Sequence, residues 1–287
     1  MGTENNKKLK RHNFLFVTIM MMVIMFGGLY CGYYPAYYLF SGIKDGGWNL
    51  LFTLYLPFIM TDLILIGYCF FAEKPIFYSL GHAKHKGRSG NTVKMALLGL
   101  LTGFALNMLC AFIAMLNGDI HLSFVKFDPL FLIAALAVVC IQSGAEELVF
   151  RGYGLSAIKE RYNLIFAILL NPITFSLGHL SNTGVDAYSL FTIFVVGLCF
   201  GIMTVVLDSI WFPIMVHTAW NFTQNMLLGL PNSGVVCPRA LFTPDAVKGS
   251  LFYNVEFGLE GGLPVVILFP VATAVIVLIV KKGKKER

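Results

Sequence analysis

The amino-acid sequence predicts an all-α fold, a polytopic membrane bundle of about eight transmembrane helices. Of the 287 residues, 57% are hydrophobic and only 13% are charged. Soluble domains are usually about 45–50% apolar and about 25% charged, so this composition excludes a soluble fold. The hydrophobic segments extend along the chain without a long polar insert, and residues 1–287 are therefore predicted to form a single integral membrane domain.

Eight apolar segments are close to the roughly 20 residues that a helix needs to cross a bilayer. They are predicted at residues 14–40, 48–72, 93–116, 130–154, 163–180, 188–207, 211–228 and 263–280. The first segment is too long for the core of a signal peptide, and no small-residue cleavage site follows it, so it is predicted to be a span. Residues 155–162 are amphipathic and are predicted to lie in the membrane interface.

The distribution of positive charge predicts the orientation of the bundle. Eight spans place both termini on one side, and that side carries 17 of the 21 Lys and Arg residues. Cytoplasmic loops are enriched in Lys and Arg, so both termini are predicted to be cytoplasmic. The same asymmetry accounts for the net charge of +6 without a nucleic-acid partner. The six cysteines show no CxxC spacing, and no disulfide framework is expected.

Charged residues interrupt the fourth apolar segment in the stretch QSGAEELVFRG, residues 142–152. A charged group at the centre of a membrane helix costs about 2.5–3.5 kcal/mol on insertion scales, so it is retained where it is paired, solvated or used. Glu147 and Arg151 are four residues apart and are predicted to pair on one helix face. Glu146 points about 100° away from Glu147 and is predicted to lack a local partner.

Three further polar clusters lie in other spans. They are His179, the pair His217 and Asn221 on one helix face, and the lone Asp62. Taken singly, each is consistent with an ion pair or a hydrogen bond that holds helices together. Taken together, two acids, two histidines and an asparagine in three spans indicate general acid–base chemistry. A glutamate and a histidine can activate water, and a second histidine with an amide can stabilise an oxyanion, which predicts peptide-bond hydrolysis.

Three motifs in these spans resemble those of a known family. EELVFR at residues 146–151, FSLGH at 175–179 and HTAWN at 217–221 are similar to the EExxxR, FxxxH and HxxxN/D motifs of the CPBP family. This family comprises CAAX-protease and bacteriocin-processing intramembrane endopeptidases, also called Abi or type II CAAX proteases. The resemblance covers roughly residues 130–225, the expected protease core. It implies an all-helical bundle of about eight spans with a cavity open to the cytoplasmic side.

The resemblance also implies a role for each matching residue. Glu146 corresponds to the catalytic glutamate, which activates water together with His179. His217 and Asn221 correspond to the pair that stabilises the oxyanion. The residues that support the site or contact the substrate correspond to Glu147, Arg151 and Phe175.

Metal dependence has two interpretations. Glu146, His179 and His217 have the chemistry to ligate Zn²⁺, with a water as the fourth ligand. No HExxH motif is present in the sequence, and the resemblance implies a glutamate–histidine mechanism without metal. No cofactor is therefore expected to be required.

The predicted function is that of an intramembrane endopeptidase, acting in the cytoplasmic half of the bilayer on a peptide or lipidated peptide. The expected partners are this substrate, of a prenylated or signal-type class, and membrane lipids. The compact chain and the Gly144-Ala145 lead-in resemble prokaryotic members, which predicts a prokaryotic plasma membrane and peptide maturation such as bacteriocin processing. Two alternatives stay open, a non-enzymatic membrane immunity or scaffold protein and a proton-coupled transporter.

One difficulty concerns the helix ends. Simple counting places Glu146 near the inner end of the fourth span and His179 toward the outer end of the fifth. The two residues can meet only if the fourth helix continues past Gly154 or if a bend at Pro172 shifts the fifth. The sequence assigns no role to the loop at residues 229–262.

Overall fold

The computed structural model describes residues 13–81 and 89–285, and its helices form a membrane bundle. In chain order the helices are α1 (Phe14–Phe40), α2 (Gly46–Ala72), α3 (Lys74–Gly81), α4 (Val93–Leu116), α5 (Pro129–Arg161), α6 (Leu164–Leu177), α7 (Ala187–Val206), α8 (Trp211–Asn221) and α9 (Leu263–Lys285). Within the described residues, six of them are long and apolar enough to cross a membrane. The predicted all-α polytopic bundle is confirmed, with α6 and α8 as short members among the predicted spans.

Side-chain caps fix the starts of α1, α4, α5, α6 and α7. An Asn, Asp or Thr stands before each of these helices, and its side-chain oxygen accepts a hydrogen bond from the backbone N–H three residues later. The capping residues are Asn13, Thr92, Asp128, Asn163 and Asp186. A polar residue directly before an apolar run therefore determines where the chain enters the bundle.

Three of the membrane segments contain a π-helical turn. These turns lie at Leu51–Tyr55 in α2, at Leu148–Gly154 in α5, and at Phe222–Leu227 directly after α8. A π turn is wider than an α turn, is rare, and is frequently found at functional sites. Each of the three lies next to a residue of the candidate site described below.

The end of α5 differs from the prediction. The sequence predicts a separate interfacial segment at residues 155–162, but Leu155–Arg161 continues α5 beyond its π turn. Ala157 and Ile158 are fully buried, because this last part packs into the bundle rather than lying in the interface. Glu146 consequently lies near the middle of a 33-residue helix, which removes the difficulty over the helix ends.

α4 packs closely against α8, the helix that carries His217. Gly99 and Gly103 stand one turn apart on α4, and a Cβ atom added to them would lie 2.5 Å from Phe212 O and 2.2 Å from Val216 O. Only glycine permits this approach, and small residues spaced by four are a common device for close packing of membrane helices. The contact fixes the backbone of α8 directly before His217.

A two-stranded antiparallel sheet, which the sequence does not predict, covers one end of the bundle. β1 (Ile120–Phe124) pairs there with β2 (Phe242–Val247) in the long loop before α9. Arg239, beside β2, forms ion pairs with Asp45 and with Asp128 at the cap of α5. This face, here called the sheet end, comprises residues 41–45, 117–128, 180–186 and 229–262.

The opposite face is here called the basic end. It comprises the start of α1, residues 73–81, 89–92, 155–163 and 207–210, and the end of α9. The N–H of Phe14 donates to the hydroxyl of Tyr162 at 3.0 Å, and Arg161 pairs with Glu73 at 2.5 Å. Both ends of the described chain therefore lie at the same face, as eight crossings require.

Candidate active site

A buried ion pair anchors the candidate site on α5. Arg151 Nη1 donates to Glu147 Oε1 at 3.0 Å and neither side chain is exposed, so the predicted pair is confirmed. Arg151 Nη2 donates to the carbonyl oxygen of Gly197 on α7 at 3.2 Å. The guanidinium also lies 4.1 Å from the ring centroid of Phe175 on α6. Arg151 therefore links α5 to α6 and α7.

Glu146 points away from this pair and into a cavity. Its Oε1 accepts a hydrogen bond from Gln142 Nε2 at 2.5 Å, so the prediction that Glu146 lacks a local partner is wrong. Gln142 stands one turn earlier on the same helix face, which brings the two side chains together. The second oxygen, Oε2, is buried and accepts no hydrogen bond from any residue that the structure describes. One carboxylate oxygen is thus left for a water or a substrate.

His179 follows the end of α6 and lines the same cavity as Glu146. Its Nδ1 lies 2.9 Å from the carbonyl oxygen of Phe175. Because a carbonyl can only accept, Nδ1 carries the proton of the neutral ring and Nε2 is left as an acceptor. Among the described residues no ion pair joins His179 to Glu146, so a water in the shared cavity is the simplest link between them.

His217 on α8 sits between the two glutamates. Its Nδ1 is 3.0 Å from Glu147 Oε1, and its Nε2 is 3.8 Å from Glu146 Oε2. An ionised carboxylate only accepts, so Nδ1–H donates to Glu147. The ring also packs against Phe200, with the ring centroids 5.6 Å apart. Glu147 therefore orients the His217 ring, so that Nε2 faces Glu146.

Asn221, at the end of α8, is held by three other polar side chains. Its Nδ2 donates to Gln142 Oε1 at 3.0 Å and to Ser143 Oγ at 3.3 Å. Its Oδ1 accepts a hydrogen bond from Asn232 Nδ2 at 3.1 Å. Gln142 thus connects the Asn221 amide with the Glu146 carboxylate. Both amide hydrogens have protein acceptors, so an oxyanion would have to replace one of them.

Residues outside the three motifs continue this network. Glu260, in the turn before α9, accepts from Asn232 Nδ2 and from Gln224 Nε2, both at 2.6 Å. Gln224 is itself oriented, because its Oε1 accepts from Asn107 Nδ2 at 3.0 Å. Burial raises the pKa of Glu260 to about 7, and the hydrogen bond from Gln224 opposes that rise. The loop before α9 therefore reaches the site through a buried acid.

Sequence reasoning missed the polar residues that complete this network, among them Gln142, Asn232 and Glu260. Gln142 had a usable signal, because it stands four residues before Glu146 in the same predicted helix. Asn232 and Glu260 had none, because they lie in a loop whose path is determined by contacts distant in sequence.

The four predicted catalytic residues line a cavity of about 370 Å³. Its polar wall is formed by Gln142, Glu146, His179, His217 and Asn221, with residues of two loops. Its apolar wall is formed by side chains of α1 and α2, namely Met25, Phe26, Leu29, Leu54 and Phe58. A concave site with mostly apolar walls and a few convergent polar groups is typical of a ligand-binding pocket.

The cavity is reached from the sheet end of the bundle. The loop residues that line it lie at or directly beside that end, in residues 178–183 and 232–235. The start of α1 and the end of α9 lie at the other face. Cytoplasmic termini and a cavity open to the cytoplasm therefore do not fit together in this structure, and both stay predictions.

The alternative zinc-ligand set does not fit this arrangement. Among the residues that the structure describes, no three His, Cys, Asp or Glu side chains are grouped so that they could hold a metal ion. Glu146 and His217 approach each other, but His179 does not complete a group with them. These three side chains are therefore not arranged as tetrahedral zinc ligands among the described residues, and metal dependence stays a prediction.

A family model matches the part of the chain that carries this geometry. Residues 128–223 match the model described as type II CAAX prenyl endopeptidase, Rce1-like. This segment of the chain is similar to that family. The Rce1-like match covers about a third of the chain, from the cap of α5 to just beyond Asn221, and includes every predicted site residue. The predicted resemblance to CAAX proteases is thereby confirmed. Comparison with curated proteins and with solved structures gave no match.

The Rce1-like match and the apolar helices together define the protein at a coarse level. It is an integral membrane protein with a segment similar to CAAX-type proteases. The matched segment ends before Asn232 and Glu260, so the loop that completes the polar network lies outside it.

Proposed function

We propose that this chain is an intramembrane endopeptidase that hydrolyses a peptide bond with water activated by Glu146 and His179. The Rce1-like match supports a protease. The observation that carries the mechanism is Glu146 Oε2, a buried oxygen of a cavity-lining carboxylate without a hydrogen-bond partner among the described residues. Burying such an oxygen is costly unless something completes its hydrogen bonds. Water or a peptide substrate would do so.

The proposed reaction begins with proton transfer from water to Glu146 Oε2 while the water oxygen attacks the carbonyl carbon. The electrons of the C=O bond move to its oxygen and give a tetrahedral oxyanion. His217 and Asn221 are the proposed donors to that oxyanion. The proton then passes to the amide nitrogen as the C–N bond breaks, which releases a carboxylic acid and an amine. His179, with Nε2 as an acceptor, holds the attacking water.

The buried charges support an imidazolium at His217. Its Nδ1–H is used by Glu147, so the ring can donate from Nε2 as well only when both nitrogens carry protons. With a cationic His217, the set of Glu146, Glu147, Arg151 and His217 has no net charge. Pairing of buried charges lowers the cost of removing them from water.

Comparative peptidomics of membranes tests the proposal. Membranes containing the wild-type chain are compared with membranes containing Glu146→Gln, and Asp62→Asn is the matched control. Asp62 is also a carboxylate of a membrane helix with an unpartnered oxygen among the described residues, but it does not line the cavity. General-base catalysis contributes about 10²–10⁴-fold, so products should fall by at least about 10²-fold in Glu146→Gln. Asp62→Asn should cleave like the wild type.

An unchanged set of cleavage products in Glu146→Gln would refute the proposed mechanism. Equal loss in Glu146→Gln and Asp62→Asn would also count against it, since the effect would then reflect any lost membrane carboxylate. Folding of each variant is checked by gel filtration in detergent.

A further inference from the structure

The two ends of the bundle differ strongly in charge. Sixteen of the 21 Lys and Arg residues belong to the basic end or to the chain segments attached to it. Arg151 is buried in the site and is not a loop charge. Residues 1–12, 82–88 and 286–287 lie outside the described residues, and their charges are counted from the sequence. The four basic residues of the sheet end are Lys44, Lys126, Arg239 and Lys248.

This asymmetry orients the bundle in the membrane. Lys and Arg near the ends of membrane helices are retained on the cytoplasmic side, and the number of basic residues in short loops sets the orientation. All loops of the basic end are short, so the rule applies to them. The basic end is accordingly cytoplasmic, and the sheet end faces the other side.

The helix residues that line the cavity show that the cavity lies in the half of the bundle nearer the sheet end. α1 runs from the basic end to the sheet end and contributes Met25, Phe26 and Leu29, none of them from its first ten residues. α2 runs in the opposite direction and contributes Leu54 and Phe58 from its first half. The loops that line the cavity lie at the same end. Among the described residues, no loop of the basic end lines it.

We propose that the cavity opens to the extracytoplasmic side of the membrane, and that its substrate is an exported or membrane-anchored polypeptide presented from that side. A prenylated C-terminus in the cytoplasm would face the closed end of the bundle. The apolar wall of α1 and α2 suits an extended segment with apolar side chains, and the polar wall holds its peptide bond. The sidedness rests on charge and geometry alone, whereas the substrate class rests on the proposed endopeptidase function.

Single-cysteine labelling in intact cells tests the sidedness. The six native cysteines are replaced, and Thr183→Cys, Lys248→Cys or Lys159→Cys is introduced singly. Thr183 is exposed and lines the cavity, Lys248 is exposed at the sheet end outside it, and Lys159 is exposed at the basic end. The probe is a membrane-impermeant cationic methanethiosulfonate. Thr183→Cys and Lys248→Cys should be labelled in intact cells, and Lys159→Cys only after permeabilisation.

Two results would overturn the inference. Labelling of Lys159→Cys but not Lys248→Cys in intact cells would reverse the orientation. Labelling of Lys248→Cys without Thr183→Cys would show that the cavity is closed to the extracytoplasmic side.

The experiment also separates this inference from the proposed function, because labelling requires no proteolysis. In intact cells, the same reagent should abolish cleavage in Thr183→Cys and leave cleavage in Lys248→Cys unchanged. Labelling of Thr183→Cys with full retention of cleavage would refute the cavity as the proteolytic site while the sidedness stands.

Discussion

Glu260 is expected to control the active-site amide from a distance, and Glu260→Gln tests this. Glu146, Gln142, Asn221, Asn232 and Glu260 form a continuous chain of hydrogen bonds between two carboxylates. Each amide in the chain has one orientation, because reversing it would oppose two donors or two acceptors. Above about pH 7, where Glu260 is ionised, both carboxylates only accept, so they fix the direction of the chain from its two ends.

The substitution introduces a donor where only an acceptor fits. Gln224 cannot rotate to accommodate it without losing the hydrogen bond from Asn107, so the new carboxamide turns its oxygen toward Gln224. The NH₂ of the new carboxamide then faces Asn232 Nδ2, so two hydrogen-bond donors meet without an acceptor between them. Rotation of Asn232 relieves this conflict but presents an oxygen to Asn221 Oδ1. The Asn221 amide is thereby turned or loosened.

The expected magnitude follows from the two bonds affected. A hydrogen bond to a charged group contributes about 1.5–3 kcal/mol, which sets the expected loss in the free energy of unfolding. Removal of one oxyanion donor typically lowers kcat by about 10²–10³-fold, and this is the upper limit for a misaligned Asn221. We expect kcat to fall by at least about tenfold, with KM little changed, because the apolar wall of the cavity is untouched.

The assay measures kcat, KM and thermal unfolding in detergent above pH 7, where Glu260 is ionised, using a substrate identified by peptidomics. Glu256→Gln is the matched control, since Glu256 is an exposed acid of the same loop. Asn232→Ala cuts the chain at its centre and should reproduce the loss in kcat. If both Glu260→Gln and Asn232→Ala keep kcat within twofold of the wild type while folded, the chain does not position Asn221 and the reasoning fails.

The remaining predictions concern pH, the ion pair, helix packing and metal. Because burial raises the pKa of Glu260 from 4.5 to about 7, stability present below pH 4.5 is lost as pH rises to 7, and Glu260→Gln should flatten this slope in thermal unfolding. Arg151→Met should destabilise the protein by up to about 3–5 kcal/mol by leaving the buried Glu147 with only His217 as a partner, and adding Glu147→Gln should restore much of this. Gly103→Leu should sharply reduce folded yield in gel filtration, since its side chain meets Val216 O. Dialysis against a chelator should leave cleavage unchanged, and loss restored by Zn²⁺ would contradict this.

Local spacing was sufficient to predict much of the membrane architecture. The predicted bounds of α1 and α4 agree with the structure, because a capping Asn or Thr stands directly before each apolar run. The ion pair of Glu147 and Arg151 was also predictable, since a spacing of four brings side chains together on any helix. In both cases the determining information lies within a few residues of the chain.

The sequence predicted the motif residues of the site, but it did not predict how they are arranged. Which glutamate faces the cavity follows from helical rotation, but the closeness of His217 to both glutamates depends on how α8 packs on α4 and α5. Asn232 and Glu260 reach the site because the sheet and the Arg239 ion pairs hold the long loop in place. Such contacts join residues more than a hundred positions apart, which periodicity cannot report.

The three π-helical turns link the local geometry of each helix to the way the helices pack around the site. The turn at Leu148–Gly154 follows the glutamates, and the turn at Phe222–Leu227 follows Asn221. The third turn carries Tyr55, whose hydroxyl donates to Asn225 Oδ1 at 3.2 Å and so joins two of the wide turns across the bundle. Removing one residue from such a turn would rotate everything beyond it by about 100°. In α5 this rotation would separate Arg151 from Glu147, or it would turn the buried side chains of the last two turns away from the bundle. The π turn therefore allows α5 both to place Arg151 beside Glu147 and to bury its last two turns. A regular α-helix over the same residues would not do both.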